Sequence, residues 1–455
     1  MSKRHISRSN GGNPSRQRAR PTTVWICVSV LVALVAAGVV GLKKGSPRPS
    51  FPRVETDADQ DRQLRREQLE IAEKLLTEFP TNDDAVYFTG LVHEDQGNTE
   101  QAMKLWARSI ELDPTRADAN ESLGQALLLR DDYAGAEKYF RRALEIDTNS
   151  PSARFRLAKA LSQQGQLQEA VSMLEQAGSL SAEGYRLMGE VFQQLNQPRR
   201  AITNYEAAIK LKPDSPEPYY GLSQAFAKLG DAEKSREYLE KSAALRKEAD
   251  DQARRLRANF DSVAVTRQSV ARTHTDAGRV YIVLGNARKA EELWLRAAAL
   301  DPQNVLCRLQ LAVLYQQTRR DREALQFYEQ AAKLDPRDGL TQLNLGRVCM
   351  KLNQTEQAER VFKEVIRLEP KRPEGYSALA QLYLQTRSNL PDAERLAGVA
   401  AELAPEGLYF AQLSQARAQN GNQESALSAI NRAIELQPKN PQFIQMRETI
   451  LAMKR

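Results

Sequence analysis

Residues 271–304 read ARTHTDAGRVYIVLGNARKAEELWLRAAALDPQN, and this stretch decides the fold. Its first half, Ala271 to Leu284, places apolar or small residues at Ala277, Gly278, Tyr281 and Val283, as one face of a helix requires. Its second half, Arg288 to Leu300, does the same with Ala290, Trp294, Ala297 and Ala298. Gly285-Asn286 between them is a turn signal. Asp301-Pro302 ends the second helix, because proline cannot extend the hydrogen-bond ladder. Two helices joined by so short a turn approach closely only where the crossing side chains are small. Gly278 and Ala290 have that character, and Trp294 is expected to fill the space beside the following unit.

The same signals recur outward in both directions with a period of about 34 residues. A small residue stands at Gly90, Gly124, Ala158, Gly189, Ser223, Gly278, Ala312, Gly346, Ala380 and Ser414. A second follows twelve positions after most of them, as at Ala102, Ala136, Ala170, Ala201, Ala324, Ala358 and Ala426. Proline closes many units, as at Pro114, Pro213, Pro302, Pro336, Pro370 and Pro405. An alanine-rich bundle would explain helices but not this fixed phase. A stacked array does, with units at 83–116, 117–150, 151–181, 182–215, 216–249, 271–304, 305–338, 339–372, 373–406 and 407–440.

Several departures are visible. Unit 151–181 has a short second helix ending near Gly178-Ser179, and unit 373–406 carries an extra residue around Leu390-Pro391. Unit 216–249 has Ser223, Ser235 and Ser242 where Gly or Ala is usual. A half unit, Arg62 to Phe79, is expected to cap the start. A helix over Pro441 to Lys454, with Phe443, Met446, Ile450 and Leu451 on one stripe, is expected to cap the end, since an unstacked apolar face would meet water. The charged segment Glu233 to Asn259 is expected to prolong a second helix as far as Phe260-Asp261-Ser262. A charged helical insertion at 250–270 would then divide the array into stacks 62–249 and 271–440, hinged or offset, with 441–455 as the closing cap.

These residues resemble the tetratricopeptide repeat (TPR), whose signature is L-G-x2-Y, then A-x3-F, then P at 34-residue spacing. Here it reads Leu345-Gly346-x2-Cys349, Ala358-x3-Phe362, Pro370, and again Leu311-Ala312-x2-Tyr315, Ala324-x3-Tyr328, Pro336. The resemblance implies an all-α right-handed superhelical solenoid of about ten helix-turn-helix units. It also implies a concave surface lined by each first helix at positions near 2, 5, 9, 12 and 13. Carried onto this sequence, the candidate groove residues are Gln125, Arg156, Lys159, Arg186, Glu190, Tyr220, Gln224, Arg279, Asn344, Arg347, Gln381 and Gln415. Glutamine, arginine and lysine suit hydrogen bonds to a peptide backbone and to carboxylates. The Lys/Asn/Arg clamp that some members use for C-terminal carboxylates does not occur at the matching positions. The expected partner is therefore a protein or peptide other than a chaperone tail.

Net charge is +7, but it is unevenly placed. The first 54 residues hold ten Lys and Arg and no acid, leaving 55 basic against 58 acidic residues in the rest. The array is thus nearly neutral and has no basic stripe with interleaved aromatics, so no nucleic-acid partner is expected. Thr22 to Leu42, TTVWICVSVLVALVAAGVVGL, is uncharged and as a helix would span about 31 Å, the thickness of a bilayer core. Residues 1–21 read as a disordered basic tail, 22–42 as a transmembrane signal-anchor and 43–61 as a linker. Six Lys and Arg precede the span and four follow, which favours a cytoplasmic N-terminus and an array outside the cytoplasm. The alternative is a cleaved signal at Ala36-x-Gly38 and a secreted protein.

No catalytic constellation is visible: the sequence carries no Gly-rich phosphate loop, no H-E-x-x-H and no G-x-S-x-G. His93 and His274 lack metal-ligand partners at helical spacing, and no C-x-x-C pair joins Cys27, Cys307 and Cys349. No cofactor, metal or small-molecule substrate is expected. A membrane-anchored scaffold for an envelope complex is the leading expectation. A non-catalytic partner of an enzyme such as a glycosyltransferase is the alternative, since nothing after residue 440 is long enough to supply a nucleotide-sugar domain.

Overall fold

Each unit folds as a pair of helices closed by a left-handed turn residue. The computed structural model describes residues 56–258 and 261–453, and within these every regular element is a helix. The expected spanning segment 22–42 and its basic tail 1–21 lie outside the described residues. Among the described residues, no helix is long and apolar enough to cross a membrane.

Helix α1 (Asp57–Glu78) comes first. The first stack follows as α2 (Asp83–Asp95) with α3 (Thr99–Leu112), α4 (Ala117–Leu129) with α5 (Tyr133–Ile146), α6 (Pro151–Gln163) with α7 (Leu167–Gln176), α8 (Ala182–Gln194) with α9 (Pro198–Leu211), and α10 (Pro216–Lys228) with α11 (Ala232–Ala258). The second stack is α12 (Ser262–Val283) with α13 (Ala287–Leu300), α14 (Val305–Gln317) with α15 (Asp321–Leu334), α16 (Gly339–Lys351) with α17 (Thr355–Leu368), α18 (Pro373–Thr386) with α19 (Leu390–Leu403), and α20 (Gly407–Gln419) with α21 (Gln423–Leu436). Helix α22 (Pro441–Ala452) ends the array. Two expected boundaries are corrected. Helix α1 starts inside the expected linker, where a capping box between Thr56 and Asp59 satisfies its first donors. The expected insertion 250–270 is not one segment. It is divided between the C-terminal part of α11 and an N-terminal extension of α12, which Asp261 caps by accepting from Ala264 N at 2.9 Å.

The turn within each unit repeats one device. One residue adopts positive φ, as at Gly97, Asp131, Gly165, Asn196, Gly285, Arg319 and Gly421. The next backbone N–H then reaches back five residues, as from Asn286 to the Tyr281 carbonyl at 2.8 Å and from Arg320 to Tyr315 at 2.7 Å. This closes an end carbonyl that the helix leaves open. The extra residue of unit 373–406 gives that turn two left-handed residues, Arg387 and Asn389.

The core of a unit is a large side chain of the second helix lying against a small residue of the first, sixteen positions earlier. A Cβ on Gly124 would stand 2.8 Å from the Phe140 ring, and one on Gly189 would stand 2.6 Å from Tyr205. Gly90 with Trp106, Gly278 with Trp294 and Gly346 with Phe362 repeat the contact. Trp294 thus packs inside its own unit rather than beside the next, and its Nε1 donates to the Thr275 carbonyl at 2.9 Å. The glycines recur because the aromatic ring occupies the volume a Cβ would need.

The stacks are not joined end to end. Helix α11 packs along α10 and not along α12. Its Leu239 stands where other units bury Phe140, Tyr205, Trp294, Tyr328 or Phe362, yet it is 47% exposed. Instead α1 lies against both α2 and α12. Its register with α12 is parallel: Thr266 donates to Asp61 at 2.5 Å, Gln68 to Thr273 at 2.9 Å, and Tyr281 to Glu78 at 2.8 Å. Phe79 and Tyr281 meet edge to face, with centroids 5.7 Å apart. Ala72 and Leu75 of α1 share one apolar cluster with Phe88 of α2 and Ala271 of α12. The half unit expected to cap one array therefore packs against the first helix of each stack. At the other end, α22 buries Phe443 and Ile450, as expected, but leaves Leu451 exposed.

Candidate functional site

The first helices of the second stack line a cleft. Arg347 of α16, Gln381 of α18 and Gln415 of α20, three of the expected groove residues, converge on a cavity of about 320 Å³. Side chains missed by the sequence reading complete it: Glu374, Gln412, Leu408, Phe443 and Met446. They occupy positions 2, 3 and 6 of their helices, so the repeat phase pointed to their helix faces. The expected residues were mostly polar side chains near positions 5 and 9, and that choice overlooked them.

Gln412 is held in place. Its Nε2 donates to the Ser377 carbonyl at 2.8 Å, and the Ser377 hydroxyl donates to its Oε1 at 2.7 Å. A weaker 3.4 Å bond passes from Gln412 Nε2 to Gln381 Oε1. Glu374 Oε1 accepts from Arg372 at 3.0 Å, while its Oε2 is buried with no hydrogen-bond partner among the described residues. Burial raises the Glu374 pKa, but its backbone hydrogen bond and the Arg372 guanidinium outweigh that and leave it below the ordinary carboxylate range. Arg347 forms no ion pair among the described residues. The cleft thus presents a free guanidinium, amide donors and an apolar wall side by side.

The first stack arranges its expected residues differently. Arg156 donates to Glu121 at 2.8 Å, and Glu121 also accepts from Ser150 and Ser152. Arg186 is clamped by Glu183 and Glu190 of its own helix. These hydrogen bonds, the Glu183 bond first, push the Arg186 pKa above its ordinary value. Burial raises that of Glu190. Lys159, Tyr220 and Gln224 are exposed, and Gln125 is half-buried. In the second stack, Arg279 pairs with Asp276 at 3.6 Å and Asn344 is half-buried, so neither joins the cleft lining.

Cys307 and Cys349 are buried free thiols, each held up at about 11 by burial. Among the described residues, no group of three or more His, Cys, Asp or Glu is placed to hold a metal ion.

Helical hairpins in fixed phase, with first helices framing a peptide-sized cleft, define a helical repeat protein. Profiles described as tetratricopeptide repeat match residues 87–151, 275–339, 127–183, 322–382, 216–248 and 409–440, and one described as TPR repeat matches 189–230. The chain belongs to the tetratricopeptide repeat family. It is similar to a TPR repeat-containing protein of Methanocaldococcus jannaschii, 23% identical over 226 residues, which cover 44% of this chain and 40% of that protein. It is also similar to the type IV pilus assembly protein PilF of Pseudomonas aeruginosa, 28% identical over 138 residues, 29% of this chain and 55% of the relative. The chain thus matches about half or less of the length of these relatives. Among solved structures, yeast Tom70 aligns with 82% of this chain and 96% of its own, at 15% identity and a TM-score of 0.34.

Proposed function

We propose that this chain is a membrane-anchored scaffold that holds a protein or peptide partner in its concave groove, without catalysis of its own, for the assembly of an envelope complex. The observation that carries the groove reading is the convergence of Arg347, Gln381 and Gln415 from three successive units on one cleft. A free guanidinium and amides beside apolar side chains can satisfy a peptide backbone and an acidic side chain together. The anchor reading rests on the uncharged run 22–42 and on the basic residues around it. A relative that bears the name of a pilus assembly protein is in keeping with an assembly role.

Two experiments test this reading. Crosslinking and pull-down of the membrane form is compared with an Arg279→Ala, Arg347→Ala, Gln381→Ala variant. Loss of partners supports groove recognition, and equal retention contradicts it. Intact mass of the native protein tests the anchor, because a chain beginning near Val39 would contradict it.

A further inference from the structure

The two stacks present chemically different rims. At the second position of its first helices, the first stack carries Asp84, Asp118, Ser152, Glu183 and Glu217. The second stack places Leu306, Leu340 and Leu408 at that position, with Glu374 as its one acid there, and Leu408 is 63% exposed. In the first stack the acids are already engaged. Arg116 reaches Asp84 at 2.8 Å and Asp118 at 2.9 Å, and Arg186 is held by Glu183. A ligand there would have to compete with formed ion pairs. In the cleft of the second stack, the groups a ligand could use are open. Arg347 has no carboxylate partner among the described residues, and Gln381 Nε2 has no protein acceptor there.

We propose that this cleft takes an extended segment of a partner protein in which an acidic side chain stands within a few residues of a bulky apolar side chain. This rests on the groove reading above and names the partner's chemistry. Arg347 binds the carboxylate in a charge-assisted pair. The Gln381 amide donates to a backbone carbonyl. The apolar side chain lies against Leu408, Phe443 and Met446. Arg347 and Leu408 line one cavity of about 320 Å³, so the carboxylate and the apolar side chain that they receive stand within a few residues of each other on the segment.

The test is selection of random 16-residue peptides displayed on phage against the full-length protein in detergent. Selected peptides are then measured by fluorescence polarisation. The expected consensus pairs Asp or Glu with Leu, Ile, Phe or Met within a few residues. Arg347→Glu and Leu408→Asp each weaken binding about tenfold or more, as loss of a desolvated pair or anchor does. Arg347→Glu binds better when the peptide acid is replaced by Lys, and Arg186→Ala changes affinity by less than about twofold. Both altered residues lie at the surface of the cleft, and unchanged circular dichroism verifies that the variants are folded. A consensus without the acidic–apolar pair, or no selected peptide, overturns the inference. Peptides insensitive to Arg347→Glu and Leu408→Asp but lost in Arg156→Ala or Arg186→Ala overturn it and leave the groove reading standing. Peptides lost in none of these variants overturn both.

Discussion

His274 Nε2 stands 2.9 Å from Glu67 Oε1, joining side chains 207 positions apart in the chain. Arg296 completes the cluster with bonds of 2.8 and 2.9 Å to the two Glu67 oxygens. This contact belongs to the seam where α1 lies parallel to α12, and it ties the start of the array to the start of the second stack. Stability of a repeat array is a sum of neighbour interfaces. Here one helix supplies an interface to both stacks.

Gln68 is the buried centre of that seam. Its Nε2 donates to Asp95 at 2.7 Å and to Thr273 at 2.9 Å, and its Oε1 accepts from Gln96. Gln68→Ala removes the bonds to buried Thr273, half-buried Gln96 and exposed Asp95 and is expected to cost about 1–3 kcal/mol. Amide hydrogen exchange is expected to quicken in both Asp83–Asp95 and Ser262–Val283. Acceleration in one segment only would contradict a shared interface.

The same seam sets a pH dependence. Burial holds the His274 pKa below its ordinary value of 6.5, while Glu67 pulls the other way and Arg296 and Lys289 add to the lowering. The neutral ring donates its Nε2 proton to the Glu67 carboxylate. The unfolded chain therefore takes up this proton more readily, so stability is full above about pH 6.5 and falls below it. Glu67 is held below the ordinary carboxylate range first by Arg296. Its contribution is present above the ordinary carboxylate value and is lost only as pH falls through the lowered one. Urea denaturation across pH 8 to 3 is expected to show a loss beginning below 6.5 that His274→Gln removes. Glu67→Gln should remove a separate loss at lower pH.

Gly278→Ala places a methyl group against the Trp294 indole, which is almost fully buried. The expected cost is about 1–3 kcal/mol. In a Trp294→Leu background the same change should cost much less, giving a coupling of about 1 kcal/mol or more in a double-mutant cycle. Additive effects would show that the ring does not occupy the glycine's space.

Arg319 adopts φ 60° at a turn where Gly285 takes φ 81°. A left-handed conformation costs a non-glycine residue roughly 1–2 kcal/mol, partly offset by the greater freedom glycine has when unfolded. Arg319→Gly is expected to raise stability by about 0.5–1 kcal/mol, measured by urea denaturation.

Ten units, their helices and their turns were legible because each rests on a local signal: a small residue, a turn residue and a closing proline in fixed phase. The α1–α12 seam was not. Its partners are polar residues such as Gln68 and Thr273, paired across 205 positions of chain that no periodicity encodes. Its consequence, an exposed Leu239 at an otherwise buried position, is likewise a tertiary effect. In the cleft, Arg347, Gln381 and Gln415 followed from the repeat phase together with the family resemblance. Leu408 and Met446 did not, because an apolar residue on a helix reads as core until the structure shows which face is left open. Arg156 and Arg186 were given the same weight as Arg347, since one sequence does not show which surface side chains pair in the fold.

The central claim is that a partner sits in the cleft of the second stack. A photo-crosslinking amino acid at Gln381 in intact cells, compared with one at the exposed Lys363 of α17, tests it most directly. The account predicts a discrete crosslinked partner from position 381 and none from position 363. Crosslinks from position 363 alone, or equally from both, would contradict it.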